Sequence, residues 1–217
     1  MYKFILGKKI GMGQIYKDNK VVPVTVIEAG PCVVTNIKNS EKEKYSSVQL
    51  GFGEKKKIKK PIFGQVRKLG NFRVVKEFRL PEDVNYLNVG SPIRADIFNE
   101  GDMVNVSGIN KGKGFQGVIK RHGFKTLPRT HGHPHQRQPG SIGCMTPQRV
   151  VKGRRMAGRM GAERVMVKNL SIADVDLQNN LIAIVGGIPG RKGTILEIRE
   201  AGLTRLGSVR KFPKSKK

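Results

Sequence analysis

The feature that most limits what this chain can fold into is a 60-residue window, Met103 to Ala162, that contains no Asp or Glu. The window holds 12 Lys or Arg, all four His, 11 of the 27 Gly and four of the 11 Pro. Between Lys111 and Gly161, apolar residues follow neither the helical nor the strand period. Such a segment lacks the apolar surface needed to fold on its own. A loop of this length inside a globular chain is functional or disordered.

The charge of the whole chain identifies the class of partner. Forty-two Lys or Arg against 16 acids give a formal net charge of +26 and a pI near 10.5. A compact chain with this charge repels itself, so a polyanion, and nucleic acid first, is the expected partner. A membrane surface would require a long basic amphipathic helix, which the sequence lacks. No apolar run predicts a membrane span, and no signal-peptide pattern is present.

Several shorter features have two interpretations. Residues 55–76 hold nine Lys or Arg and no acid, and a solvated surface explains them as well as RNA contact does. The basic C-terminal segment from Arg199 to Lys217 is compatible with disorder in the free protein and with phosphate contact in a complex. A solvated linker is the competing interpretation of the long window, but linkers seldom carry Arg-Arg doublets among Phe, Met and Pro. The cysteines, Cys32 and Cys144, are isolated, which is typical of a reduced, cytosolic protein.

The remainder of the chain predicts short strands. Val21–Gly30, Cys32–Lys38 and Ser46–Phe52 are rich in β-branched residues and bounded by Gly or Pro. Two further strands meet near Asn179–Asn180, and residues 91–108 predict a hairpin around Asn99–Asp102. Pro61–Leu69 predicts one short helix that a proline opens. Strands of this kind with regular turns indicate a mainly β body, either a barrel or a sandwich.

GKGFQG, at Gly112–Gly117, matches the dinucleotide fingerprint G-x-G-x-x-G. The fingerprint needs a following helix and an acid about 20 residues later. Here His122-Gly123 interrupts a helix early, and the next acid is Glu163. We therefore expect no nucleotide cofactor; glycines beside Lys111 and Lys113 would instead let the backbone approach phosphates.

HGHPH places His131, His133 and His135 at alternate positions, as in a strand-borne metal site. Zinc would need a fourth ligand, for which His122 and Cys144 are the nearby options, and the window has no carboxylate to orient the imidazoles. We expect no metal, and predict instead that the rings stack on bases or bond to ribose and phosphate. Catalysis is not expected either, because acid–base and nucleophilic mechanisms need an acid close by.

The chain resembles a known protein family over nearly its whole length. Nine segments occur in order: GKKIGM, VTVIE, GDMVNVSG, KGKGFQGVIKR, THG, PGSIG, RVVKGRRMAGRMG, ERVMVKNL and GGIPG. In this order they resemble the bacterial form of the universal large-subunit ribosomal protein three family (L3, uL3). The resemblance implies a structural, non-enzymatic constituent of the large ribosomal subunit that binds 23S-type rRNA and supports early assembly.

The implied fold is mainly β: a translation-factor-like β-barrel with a small α/β insertion and a long basic extension loop that runs towards the peptidyl-transferase centre. The expected divisions are a body of 1–54, 96–108 and 163–203, an insertion of 55–95, an extension of 109–162 and a basic tail of 204–217. The implied partners are large-subunit rRNA and neighbouring large-subunit proteins, without cofactor, metal, membrane or small-molecule substrate. The implied location is the cytoplasmic ribosome; an organellar ribosome stays an open alternative.

The resemblance also implies rRNA contacts, residue by residue, at cations of the matching motifs and one histidine. They are Lys8 and Lys9 near the start, Lys111, Lys113, Lys120 and Arg121 on the outgoing side of the extension, His131 and Arg137 nearer its tip, and Arg149, Lys152, Arg154, Arg155 and Arg159 on the returning side. Some members carry a methylated glutamine just before a Thr-Pro pair. Here Met145 holds that place, so no such modification is expected, and Gln148, beyond the pair, does not inherit it.

Two other function classes stay open. A metal-dependent nucleic-acid enzyme has the histidine cluster as its only support, and stoichiometric zinc would revive it. A general nucleic-acid chaperone would differ from a ribosomal protein by failing to co-sediment with large subunits after a high-salt wash.

Overall fold

The computed structural model describes residues 2–17, 19–66, 69–84 and 86–202. Within these ranges the chain is mainly β. In chain order the strands are β1 (Phe4–Lys17), β2 (Lys20–Ala29), β3 (Cys32–Lys38), β4 (Ser46–Glu54), β5 (Phe72–Leu80), β6 (Pro92–Ile93), β7 (Met103–Ile109), β8 (Gly114–Gln116), β9 (Gly158–Met160), β10 (Arg164–Asp176), β11 (Leu181–Val185) and β12 (Ile195–Glu200). The α-helices are α1 (Ser40–Glu43), α2 (Lys60–Val66) and α3 (Val118–His122).

The chain divides into two compact units. We call the first the body; it comprises Met1–Ile109 and the chain from Arg164 onward. We call the second the extension; it comprises Asn110–Glu163. Both strands that border the extension, β7 and β10, belong to the body and pair antiparallel with each other, Ile109 facing Arg164. The extension therefore leaves and re-enters the body at two paired positions.

Six strands of the body form a closed antiparallel sheet in the order β1-β12-β7-β10-β11-β2, in which β1 also pairs with β2. Side chains alternate between the two faces of a strand, so every second residue points inward. In β11 the inward residues are Ile182 and Ile184, and in β12 they are Leu196 and Ile198, all fully buried. The alternating aliphatic side chains of β11 and β12 therefore point into the interior of the closed sheet.

A second sheet of the body has the order β5-β4-β3-β6. The first strand of this sheet along the chain is β3, which starts at Cys32. It pairs with β4 and with β6, and β4 pairs with β5. The sequence predicts that residues up to 54 belong to the β body and that the insertion starts at 55. Because of the pairings in the structure, the backbone ladders of β3 and β4 belong to the second sheet.

One hydrophobic cluster joins the two sheets of the body. Phe4 from the closed sheet and Phe78 from the second sheet stack with ring centroids 5.0 Å apart. The Arg199 guanidinium lies over the same Phe78 ring, 4.8 Å from its centroid. Aromatic contacts of this kind add to the burial of apolar area, which is the main stabilising term of a fold.

Most of the predicted strands are confirmed, as is the turn near Asn179–Asn180, where Asp176 pairs with Leu181. The helix predicted from Pro61 is α2, and two residues of the predicted span, 67 and 68, lie outside the described ranges. The hairpin prediction is wrong in its pairing: the turn at Asn99–Asp102 exists, but β6 pairs with β3, and β7 pairs with β10 and β12. The tail predicted at 204–217 lies outside the described residues.

Candidate nucleic-acid interface

The base of the extension is held together by hydrogen bonds between its two ends. Asn110 N donates to Glu163 O at 3.0 Å, and Glu163 N donates to Asn110 Oδ1 at 3.1 Å. Lys113 N then donates to Met160 O at 2.9 Å, and β8 pairs with β9. The outgoing and returning chains are thus held side by side by a short two-stranded ladder.

Gly161 is required at this base. Its φ of +80° lies in the left-handed region, which side chains with a Cβ rarely adopt. A Cβ there would overlap the Lys111 carbonyl oxygen and lie 2.9 Å from the Gly112 Cα. Glycine therefore lets the returning chain touch the outgoing backbone directly.

Helix α3 follows β8 and ends at His122, and the next residue, Gly123, is its left-handed C-cap with a φ of +71°. Its last two side chains bridge to the returning chain: Arg121 Nη1 donates to Met156 O at 2.8 Å, and His122 Nε2 lies 3.0 Å from the same oxygen. Arg121, for which the family resemblance implies an rRNA contact, is half-buried and already bonded within the extension. Its remaining guanidinium donors are what it could offer a phosphate.

The other predicted cations of the extension point to solvent. The exposed ones are Lys111, Lys113, Lys120, Arg137, Arg149, Lys152, Arg154, Arg155 and Arg159. Arg154 also donates a hydrogen bond to Ser141 O, which ties it to the chain 13 residues earlier. Among the residues that the structure describes, each Lys or Arg found in an ion pair belongs to the body. In this described part of the chain, no cation of the extension forms an ion pair with a carboxylate.

An exposed aromatic residue joins these cations, and sequence reasoning missed it. Phe115 is 77% exposed and faces Arg159 directly across the β8–β9 pair. Opposite residues of an antiparallel pair have neighbouring side chains on one face. A ring beside a guanidinium can stack on an RNA base while the cation binds a phosphate. The sequence does show an aromatic residue inside an acid-free segment. It does not show that Arg159, 44 residues away, lies opposite that residue, because this depends on the register of β8 and β9.

The tip of the extension brings together part of the histidine cluster. The rings of His133 and His135 meet edge to face with centroids 6.4 Å apart, and His135 Nδ1 lies 2.9 Å from Gln138 Oε1. His131 is exposed and has a positive φ of 61°, which turns the chain. No group of three or more His, Cys, Asp or Glu side chains within the described ranges is placed to hold a metal ion.

The GKGFQG segment does not have the strand–turn–helix order of a dinucleotide site. Its own residues form β8, and the five-residue α3 follows. A phosphate site of that type needs amides at the N-terminus of a longer helix.

The described helices are also too short or too polar to cross a membrane.

The two cations predicted on β1 have different surroundings. Lys8 is half-exposed, with its Nζ 3.3 Å from Glu28 Oε2. Lys9 is only 8% exposed, and its Nζ donates to Ile188 O at 2.8 Å and to Gly190 O at 3.1 Å. The structure therefore argues against Lys9 as an rRNA contact, because its ammonium faces into the body and bonds to backbone there.

Comparison with known proteins gives a consistent result. Residues 55–181 match a family model described as Ribosomal protein L3. A relative from Desulforapulum autotrophicum, named large ribosomal subunit protein uL3, is 52% identical over 207 residues, covering 93% of this chain and 100% of the relative. Proteins of the same name from Pelotomaculum thermopropionicum (48% identical, covering 94% and 100%) and Fervidobacterium nodosum (47%, covering 92% and 98%) are also similar.

Proposed function

Because the chain belongs to the ribosomal protein L3 family, a family of structural and non-enzymatic proteins, we propose that it is a constituent of the large ribosomal subunit that binds 23S-type rRNA. Its location is then the cytoplasmic ribosome, in agreement with its bacterial relatives. Neighbouring large-subunit proteins would be further partners. We extend the proposal to a role in early subunit assembly and to an extension that runs through rRNA towards the peptidyl-transferase centre.

The observation that carries the rRNA proposal is the solvent-facing positive charge of the extension. Its 54 residues contain twelve Lys or Arg and one acid, Glu163. The exposed cations have no ion-pair partner among the described residues. A partner with many phosphates would neutralise them and release its counterions, which makes the affinity strong and salt-dependent.

The chemistry of contact differs along the extension. Arginine binds a phosphate bidentately and stacks on bases, whereas lysine acts as a compact point charge. Arg154, Arg155 and Arg159 on the returning side therefore supply the geometric contacts, and Phe115 beside Arg159 supplies a stacking surface. Lys111, Lys113, Lys120 and Lys152 add charge. Lys8 joins the contacts by exchanging Glu28 for a phosphate.

We further infer that the closed six-stranded sheet is the translation-factor-like barrel of this family, and that the second sheet with α1 and α2 is its α/β insertion. The cyclic strand order supports the first assignment. The separate pairing of β3 to β6 supports the second and moves the start of the insertion towards Cys32. We keep the extension at 109–162, a proposal that the compact unit Asn110–Glu163 supports.

The test is the salt dependence of rRNA binding by the full chain. Arg154, Arg155 and Arg159 are changed together to Ala, and affinity for purified bacterial large-subunit rRNA is measured from 50 to 300 mM salt. Each lost phosphate contact reduces the log–log slope by about 0.7 to 0.9, so the slope becomes shallower by about 2 to 3.

A matched control removes the same charge from the body. Lys20, Lys42 and Arg94 are exposed and lie outside the basic cluster at 55–76, and their triple Ala variant keeps the extension intact. The proposal expects a much smaller change in slope for this control. An unchanged slope in the arginine variant, or equal changes in both variants, would contradict the assignment of the extension.

A further inference from the structure

The loop between β11 and β12, residues 186–194, is tied down at both ends. At its start, Gly186 N donates to Pro23 O at 2.9 Å, and Thr25 Oγ1 donates to Gly186 O at 2.6 Å. At its end, Gly193 N donates to Lys9 O at 2.7 Å, and Lys9 N donates to Thr194 O at 3.0 Å. The loop is therefore fixed to β2 on one side and to β1 on the other.

The middle of the loop is held by the buried Lys9 side chain. Its ammonium donates to the carbonyls of Ile188 and Gly190, two residues that are themselves buried. Removing an ammonium from water is costly unless polar partners replace the water. Gly190 has a φ of +89°, and a Cβ there would lie 2.6 Å from the Thr194 side chain. The observed loop conformation places both carbonyls at the ammonium and gives Gly190 the left-handed backbone that glycine tolerates.

Two cations stand on this fixed backbone. Ile188, Pro189 and Gly190 are buried, whereas Arg191 and Lys192 are exposed at the outer end of the loop. Within the described part of the chain, neither cation has a carboxylate partner. An ideal Cβ at Gly11 of β1 would lie 3.5 Å from Lys192 Cε, so the Lys192 side chain extends over that strand.

We propose that the 186–194 loop is a second rRNA phosphate contact, located on the body, with Arg191 and Lys192 as its cations and Lys9 as its positioning residue. The inference rests on the proposed function. Cations on a backbone that is already ordered lose less entropy when they bind than cations on a flexible segment.

The chemistry of the loop favours a phosphate backbone over an acidic protein surface. The apolar side chains of the loop are turned inward, so its outer end has no aromatic or aliphatic anchor of the kind that protein interfaces bury at their centre. Arg191 offers a bidentate fork and Lys192 a point charge, while Gly193 beside them is exposed and leaves room for a strand to approach.

The experiment compares three full-length variants with wild type for binding to purified bacterial large-subunit rRNA. Arg191→Ala with Lys192→Ala removes both cations, and the log–log salt slope becomes shallower by about 1.4 to 1.8. Lys20→Ala with Lys42→Ala removes two exposed cations elsewhere on the body and leaves the slope close to wild type. Lys9→Met keeps both loop cations but releases the loop, so affinity falls while the slope stays unchanged.

The outcomes separate this inference from the proposed function. If wild type shows no salt-dependent rRNA binding, the proposed function fails. If the Arg154, Arg155 and Arg159 variant loses slope and the Arg191 and Lys192 variant does not, only the loop proposal is overturned. Equal losses in the loop pair and the control pair overturn it too, since they show a general charge effect. Circular dichroism establishes that each variant is folded, and the loop-pair result decides even if Lys9→Met does not fold.

Discussion

The body and the extension of this protein differ most in what is buried. The body packs aliphatic and aromatic side chains from both of its sheets into one cluster. In the extension, Val118 is the one buried hydrophobic residue among those described. Burial of apolar area is the term that stabilises a fold on its own. The body therefore carries its own stability, whereas the extension is shaped by backbone bonds, left-handed glycines and, we propose, RNA.

The two regions also use charge in opposite ways. In the body, Glu197 is within 4.0 Å of Lys76, Arg164 and Arg199, and Lys38 pairs with Glu77 at 3.1 Å. In the extension, the exposed cations have no such partners within the described ranges. One chain thus contains cations that are paired with carboxylates and, among the described residues, exposed cations that are not.

Removing the extension is the strongest way to break this comparison. Residues 111–162 are replaced by Asn-Gly, because Asn110 and Glu163 already bond to each other and a two-residue turn suits such a pair. We expect rRNA affinity to fall by about a thousandfold or more at low salt, since the loss of many phosphate contacts has effects of that size. Binding titrations measure it.

The thermal unfolding midpoint of the same variant is its control. It should stay close to wild type, because the deletion removes only one buried hydrophobic residue. A body that unfolds without the extension would show that the two regions are not independent in stability. Retained affinity would place the main rRNA contacts in the body.

This contrast could largely be predicted from the sequence. The acid-free window, Met103 to Ala162, is a local property of composition, and it overlaps nearly all of the extension, Asn110–Glu163. The strands of the body alternate or run in β-branched residues, so β2, β3, β4, β10 and β11 could be recognised. The 14-residue β1 could not, because Gly7, Gly11 and Gly13 and the Lys8-Lys9 pair have low strand propensity.

Other features depend on distant pairing and could not be read from local pattern. The family resemblance implies an rRNA contact at Lys9, and local sequence gives no sign that this lysine is buried, because lysines seldom are. Its actual partners, Ile188 O and Gly190 O, are about 180 residues away in sequence and meet it only in the closed sheet. Likewise, the failed hairpin had the right turn at Asn99–Asp102, but which strand lies beside β7 is decided by the whole sheet.

Core truncation tests the difference in burial. Ile198→Ala removes a fully buried side chain from the body and should lower the free energy of unfolding by about 2 to 5 kcal/mol. Ile142→Ala makes the same kind of truncation at an exposed site of the extension and should change it by less than about 0.5 kcal/mol. Denaturant titrations of both variants compare the values; similar losses would show that the extension has a core of its own.

The two cysteines report on the two regions separately. Burial raises the pKa of Cys32 to about 12, so its thiol stays protonated and unreactive near neutral pH, whereas Cys144 is exposed in the extension. With rRNA at about 100 times its Kd, only about 1% of the protein is free, and alkylation of Cys144 should slow by up to about a hundredfold. Mass spectrometry follows both residues in one sample.

Cys32 serves there as the internal control, since its labelling requires unfolding of the body with or without RNA. Unchanged labelling of Cys144 in the saturated complex would mean that this part of the extension stays in solvent. That outcome would limit the RNA-bound part of the extension to residues nearer its base than Cys144.

Acid titration gives the smallest effect and concerns the body, because the extension has Glu163 as its one carboxylate. The Ser40 backbone N–H and hydroxyl donate to Asp83 Oδ1 at 2.9 and 2.8 Å, and these bonds hold the pKa of Asp83 below its ordinary value. A carboxyl group whose pKa is lowered by folding stabilises the folded state above its unfolded pKa of about 3.9, and this contribution is lost as the pH falls through the lower folded value.

Asp83→Asn keeps an oxygen that can accept both bonds but removes the titration. Its unfolding midpoint should therefore fall less steeply than that of wild type between about pH 5 and pH 2, although the exposed site makes the difference small. Thermal melts across this range measure both slopes. If the slopes are equal, the bonds from Ser40 do not favour the ionised carboxylate, and the acid sensitivity of the body must come from other groups. Glu77 is one such group: burial raises its pKa, but hydrogen bonds, including one from Lys38, outweigh this effect and lower the pKa overall.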